Sequence, residues 1–317
     1  MTLARDHAWP PLPYDDWADA CATLHRWLQI VGKIRLARTP WINHQWHLTL
    51  YVTSRGLTTS PIPHEGRTFQ IDFDFIDHRL RIHGSGGEAG ELKLRPRSVA
   101  DFHGHLMEEL GTLGYPVEIH GVPNELPEPV PFAEDHENAS YDAETANRFW
   151  RALSGADRVF NDFRGRFIGK CSPVHFFWGG MDLAVTRFSG ERAPEHPGGI
   201  PHLPDWVTRE AYSPEVSSAG FWPGGPSHPQ AIFYSYAYPE PEGFREASVS
   251  PEGARWSEDL QEFILPYEVV RSSAEPEQTL MAFLQSTYNH AADLGGWDRA
   301  RLEWGPQGRP DSKRIEK

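Results

Sequence analysis

VGK (Val31–Lys33), NHQWH (Asn43–His47) and LTLYVTSRG (Leu48–Gly56) form the run whose reading decides the fold, because the chain writes a similar run twice. Farther on, IGK (Ile168–Lys170) leads through PVHFFW (Pro173–Trp178) into LAVTRFSG (Leu183–Gly190). A loop with proline and histidine follows each time, PIPHEG (Pro61–Gly66) and then APEHPGG (Ala193–Gly199). A unit written twice predicts two like lobes, with a ligand or active site where they meet. The register is loose. Aligning on VT leaves Arg55 and Arg187 one position apart, and a one-residue slip reverses the strand face that each occupies.

Around these runs the pattern alternates between helix and antiparallel strand. Trp17, Cys21, Leu24, Leu28 and Val31 recur at helical spacing, with Asp15 or Asp16 as a cap. Phe69, Ile71, Phe73 and Phe75 alternate with Gln70, Asp72 and Asp74, the period of a half-buried strand, and Asp77-His78 turns it into Leu80 and Ile82. A short strand is expected at Glu91–Leu94. Ser98 caps a helix carrying Val99, Phe102, Leu106, Leu110 and Leu113, ended by Gly114, and a strand at Val117–His120 closes the half. The second half predicts a helix from about Ala143 with a break near Gly155. Strands follow near Leu183–Phe188, Ala231–Tyr238 and Phe263–Val270, then a closing helix with Leu280, Leu284, Tyr288, Ala291 and Leu294 on one face. The expected fold class is α+β: two pseudo-repeated lobes, each an antiparallel sheet packed by amphipathic helices. The boundaries are 1–123 for the first lobe, 124–142 for a Pro- and acid-rich connector, 143–303 for the second lobe and 304–317 for a polar tail. The segment 200–225, with Trp206, Tyr212, Phe221 and Trp222, has no counterpart in the first half and reads as a long functional loop.

At 317 residues and 39% hydrophobic content the chain is long and apolar enough for a substantial core. Its formal charge of −14 opposes general binding to nucleic-acid phosphates. No stretch approaches the roughly 20 apolar residues of a membrane span, and MTLARDHAWPPLPYDDW lacks the apolar run of a signal peptide. Cys21 and Cys171 stand apart with no CxxC, as in a reduced, cytoplasmic protein.

The chemistry-bearing residues are mostly cationic. His44 and His175 each precede a tryptophan and a strand, and are the candidate acid/base groups. Lys33, Arg55, Lys170 and Arg187 would bind a small, polar molecule, anionic by preference, between the lobes if a pseudo-twofold axis brings them together. Tyr212, Glu215, Trp222 and Tyr234 would add an aromatic wall with one carboxylate. The bland reading puts the cations on a solvated face and the histidines in the core. His44-x-x-His47 is no metal pair, since residues three apart on a strand face opposite ways; a site from His44, His175, Glu210 and Glu215 is the weaker metal reading. No cofactor motif and no nucleotide loop stands in its required context. The expected partner is a small-molecule ligand, with no nucleic acid and no membrane; the alternative is a protein-interaction scaffold using the Trp-rich insertion. Oligomeric state cannot be read.

WPPLPYDDWADACATLHRWLQIVGKIRLA, LYVTSRGLTTSPIP, SPVHFFWGGMDLAVTRFSGERAP, REAYSPEVSSAGFWPGG and YAYPEPEGF resemble an uncharacterised bacterial family, domain of unknown function 5996, from Trp9 to about Glu303. The resemblance implies a bacterial cytosolic protein and supplies no activity, cofactor or catalytic residue. Where family members read HASYD this chain has NASYD, with Asn138, and where they read YSHEVSS it has Pro214. Any role those histidines play in relatives is absent here.

Overall fold

The computed structural model describes residues 8–199 and 204–305. A short 3-10 turn at Tyr14–Asp16 leads into helix α1 (Ala18–Arg38), and Trp17, not an aspartate, occupies the cap position. Trp17, Cys21, Leu24, Leu28 and Val31 are all buried, as their spacing predicts. So are Trp27, Ile30, Gln29 and Lys33 from the other faces. A helix buried all round is a central one, and α1 runs between the lobes. It ends before Pro40, whose ring disfavours helix in the preceding residue.

The first sheet holds strands β1 (Tyr51–Val52), β2 (Gly56–Thr58), β3 (Ile62–His64), β4 (Arg67–Asp74), β5 (Arg79–Gly84) and β6 (Ala89–Lys93). Its order is β1-β2-β4-β5-β6, with β3 also on β4. The register Ile71↔Ile82 and Phe73↔Leu80 confirms the hairpin and stacks apolar pairs on one face. Helix α2 (Val99–Thr112) covers that face, capped by the Ser98 hydroxyl accepting from the Asp101 N–H at 3.1 Å. The segment 117–120 is extended but unpaired, so the predicted closing strand is absent. Trp27 stacks on Phe102 of α2 at 4.6 Å and on Tyr141 at 5.6 Å.

The connector is not a loose linker. Phe132 and Asp135 are buried, and Gln29 exchanges side-chain hydrogen bonds with the Asn124 backbone at 2.7 and 2.8 Å. Helix α3 (Ala143–Gly165) then runs unbroken through Gly155, where the Trp9 ring packs too closely for a larger side chain.

The second sheet holds β7 (His175–Phe177), β8 (Asp182–Arg192), β9 (Pro214–Trp222), β10 (Ile232–Tyr238), β11 (Arg255–Ser257) and β12 (Glu262–Pro266), in the order β11-β12-β10-β9-β8-β7. Helix α4 (Asp205–Ala211) lies between β8 and β9; helices α5 (Tyr267–Ser272), α6 (Pro276–Leu294) and α7 (Arg299–Leu302) follow β12. Two sequence expectations change here. The segment 200–225, of which 200–203 lie outside the described residues, is no loop: it supplies α4 and the strand β9 between β8 and β10. Residues 267–270 are helical rather than strand. The tail from 306 onward also lies outside the described residues.

The fold is thus α+β with two six-stranded antiparallel sheets. Helices α3 and α6 pack on one face of the second sheet. The sheets meet where Leu50 and Phe176 exchange backbone hydrogen bonds, both 2.9 Å, and one buried cluster runs through both lobes.

Candidate functional site

The other face of the second sheet floors a cavity of about 600 Å³. Strand alternation decides what reaches it. Asp182, Ala184, Thr186 and Phe188 of β8, Ser218 of β9, and Tyr234 and Tyr236 of β10 face the cavity, while Val185, Arg187, Ala219 and Phe233 face the helices. Small residues leave the space. Gly220 lies opposite Tyr234, whose ring occupies the volume that a Cβ would take, and this directs the Tyr234 hydroxyl to donate to Asp182 Oδ2.

The first lobe supplies the roof, from Trp41, the turn at Asn43–Gln45, Trp46, His47 and Leu48; Asn124 and Glu125 of the connector and Trp178 form the inner wall. Trp178 is held from two sides. Its ring rests on Gly32 of α1, and its Nε1–H donates to the Leu48 carbonyl at 2.8 Å. Helix α4 closes the outer side, and its Trp206 meets Trp41 at 5.5 Å. The roof turn is strained. His44 and Gln45 both have positive φ, 59° and 60°, an uncommon state for residues with a Cβ. Glu210 of α4 holds it by accepting from the His44 backbone N–H.

His44 is buried and lines the cavity. Burial first, and then the Lys170 charge, lowers its pKa, so the ring is neutral near pH 7. Lys170 Nζ lies 2.5 Å from His44 Nε2, which must accept. Nδ1 then carries the proton and donates to the Ala211 carbonyl at 3.3 Å. Both ring nitrogens are occupied.

His175, 1% exposed, does not reach the cavity. It sits behind Trp46, edge-on at 5.7 Å, and burial drives its pKa down to about 3. The two histidines share Trp46 as a neighbour rather than a common ligand.

The cationic set does not converge. Lys33 donates to Asn124 Oδ1 and lies 5.8 Å from the Trp178 ring centre, behind the wall, where burial lowers its pKa to about 8. Lys170 lies over Phe188 at 4.6 Å. Arg55 sits on the β1–β2 turn, paired with Asp74 at 2.8 Å and Asp77 at 2.9 Å. Arg187 points to the helix side of β8, packed on Phe163 at 3.4 Å and Tyr288 at 4.2 Å. The two arginines thus occupy unlike settings, one on an exposed turn and one inside a strand. Tyr212 lines the cavity, stacked on His196 at 4.7 Å and donating to the Tyr236 hydroxyl at 3.2 Å. Glu215 lies on a different groove near Trp297, and Trp222 packs against His228 at the strand end.

Sequence reasoning missed the carboxylates. Asp182 and Glu125 line the cavity, and the Asp182 charge acts on Glu262 of β12. Burial raises all three pKa values, to about 6 for Asp182, about 7 for Glu125 and about 8 for Glu262; Asp182 adds to the rise in the other two. No ion pair reaches any of them among the described residues. Asp182 follows an ordinary GGM turn and Glu125 sits in a connector, so neither has a sequence signal.

These carboxylates give stability a pH dependence. A carboxylate with a raised folded pKa is charged at lower pH unfolded than folded, so stability falls as pH rises through the folded value. The buried histidines, half charged in the unfolded chain near pH 6.5, and Lys33, whose pKa burial lowers to about 8, pull the other way over the same range, so the carboxylate part is read as a difference between two proteins. As pH rises from about 5 to about 8 the wild-type midpoint is expected to fall relative to that of Glu262→Gln; parallel curves for the two proteins refute the assignment.

Among the described residues no group of three or more His, Cys, Asp or Glu is arranged to hold a metal, and no helix is long and apolar enough to cross a membrane. No curated protein and no solved structure matches the chain. A family model does, over residues 9–304, nearly the whole of it. The chain belongs to the family of unknown function DUF5996.

Proposed function

We propose that the chain binds a small, largely apolar molecule in the cavity between its lobes. The observation that carries this is the cavity itself: about 600 Å³, walled by tryptophan, tyrosine and phenylalanine rings, with a few polar groups at fixed positions. Ligand sites have this size and make-up. Binding rather than turnover is favoured because His44, the histidine expected as acid or base, has both ring nitrogens engaged. An anionic ligand loses its support, since Arg55 and Arg187 lie elsewhere and Lys33 and Lys170 stand behind the lining. The scaffold reading rests on Trp41 and Trp206, each 54% exposed; they meet across the cavity mouth, where a ligand would pass.

Indole is the test probe, a neutral aromatic that fits the volume. Calorimetric titration is expected to give saturable, one-to-one binding. Ser218→Trp, which fills the floor from the centre of three strands, is expected to weaken binding at least about tenfold. Absence of saturable heat with the wild type, or equal affinity in both proteins, would sink the proposal.

A further inference from the structure

We infer that the ligand is an organic cation, its protonated amine seated against Asp182 and Glu125 and its apolar body against the aromatic walls. This rests on the reading of the cavity as a small-molecule site and names the ligand class.

The polarity of the cavity is uneven. Its inner end carries the two carboxylates, Asp182 and Glu125, and the Tyr234 hydroxyl is the donor bonded to the Asp182 side chain. The nearest lysine, Lys33, is turned to Asn124. Repelling carboxylates in an enclosed space favour a positive guest, whose charge offsets the repulsion. The rings add to this, because a cation over an aromatic face gains about 0.5–2 kcal/mol depending on desolvation.

An independent sign of a guest lies in the roof and lid. Gln45 and Thr208 are lining residues at 6% and 2% exposure, and among the described residues Gln45 Nε2 and Thr208 Oγ1 have no hydrogen-bond partner. Buried polar atoms are usually satisfied.

Tryptamine, indole and indole-3-propionate share a ring and differ in charge. Calorimetric titration of the full chain is expected to rank tryptamine at least about tenfold tighter than indole, with the propionate weakest. Raising pH from about 5.5 to about 8.5 deprotonates the carboxylates while the amine stays charged, so tryptamine binding strengthens and indole binding does not. Asp182→Asn and, separately, Glu125→Gln are expected to bring tryptamine to within about twofold of the same variant's affinity for indole. If indole equals tryptamine, or the propionate binds best, the cation is refuted and the cavity reading stands. If none of the three binds saturably, the cavity reading fails and takes this inference with it.

Discussion

Arg187→Ala is expected to destabilise the fold by about 3–4 kcal/mol, whereas Arg187→Met changes stability by no more than about 1 kcal/mol. The guanidinium is 1% exposed, packed against Phe163, Phe167 and Tyr288, and donates to the Phe163 carbonyl. No carboxylate among the described residues is within ion-pair distance of it. Burial pushes its pKa from the usual 12.5 to about 10, a penalty of about 3 kcal/mol on holding the charge. The ring contacts return about 2 kcal/mol and the charged hydrogen bond about 2 kcal/mol. The terms nearly cancel, so an apolar chain of similar length replaces the arginine at little cost. Alanine removes the volume as well, and the unfilled space then dominates. Chemical denaturation separates the two variants. Ligand binding is unchanged in Arg187→Met, because the side chain lies across the sheet from the cavity; a loss of indole affinity there would mean that Arg187 does act on the site.

Gly32→Ala is expected to cost about 2 kcal/mol net and to weaken indole binding at least about tenfold. Alanine in a helix interior is worth about 1 kcal/mol over glycine, which predicts a gain. Steric overlap opposes it and wins. A Cβ on residue 32 would lie 2.3 Å from ring atoms of Trp178, a rigid side chain only 4% exposed. The indole would have to tilt away from α1, stretching its bond to the Leu48 carbonyl and pushing the ring into the cavity. Overpacking of this kind typically costs about 1–3 kcal/mol. Denaturation midpoints and indole titration read both effects; a stabilised variant with full affinity would show that Trp178 is not seated on this helix as described.

Periodicity carried most of the secondary structure. Phe69-x-Ile71-x-Phe73 became β4 in the expected face-to-face register with β5, and the Ser98 cap stands where its sequence places it. Errors fell where a local signal competes with tertiary context. Gly155 reads as a helix break, but a glycine inside a helix also admits a close neighbour, and Trp9 is that neighbour. The 214–222 segment read as part of a loop because the first half of the chain has no counterpart to it. Its alternation of buried residues between two faces suits a strand covered on both sides, a pattern without the usual polar half.

The sequence by itself determined the α+β class, the antiparallel hairpins, the amphipathic helices and the family, because these follow from periodicity and from strings long enough to be specific. It also marked Tyr212 and Tyr234, which do line the cavity. Only the tertiary structure decided the site. Whether a side chain faces ligand or core depends on strand parity over one residue, which turns Arg187 to the helices and leaves Thr186 and Phe188 on the floor. Charge sign was decided in the same way: cations conspicuous in the sequence are consumed by Asp74, by aromatic rings or by Asn124, while Asp182 and Glu125, unremarked in a chain of many acids, are brought together without a cation by a turn and a connector 57 positions apart.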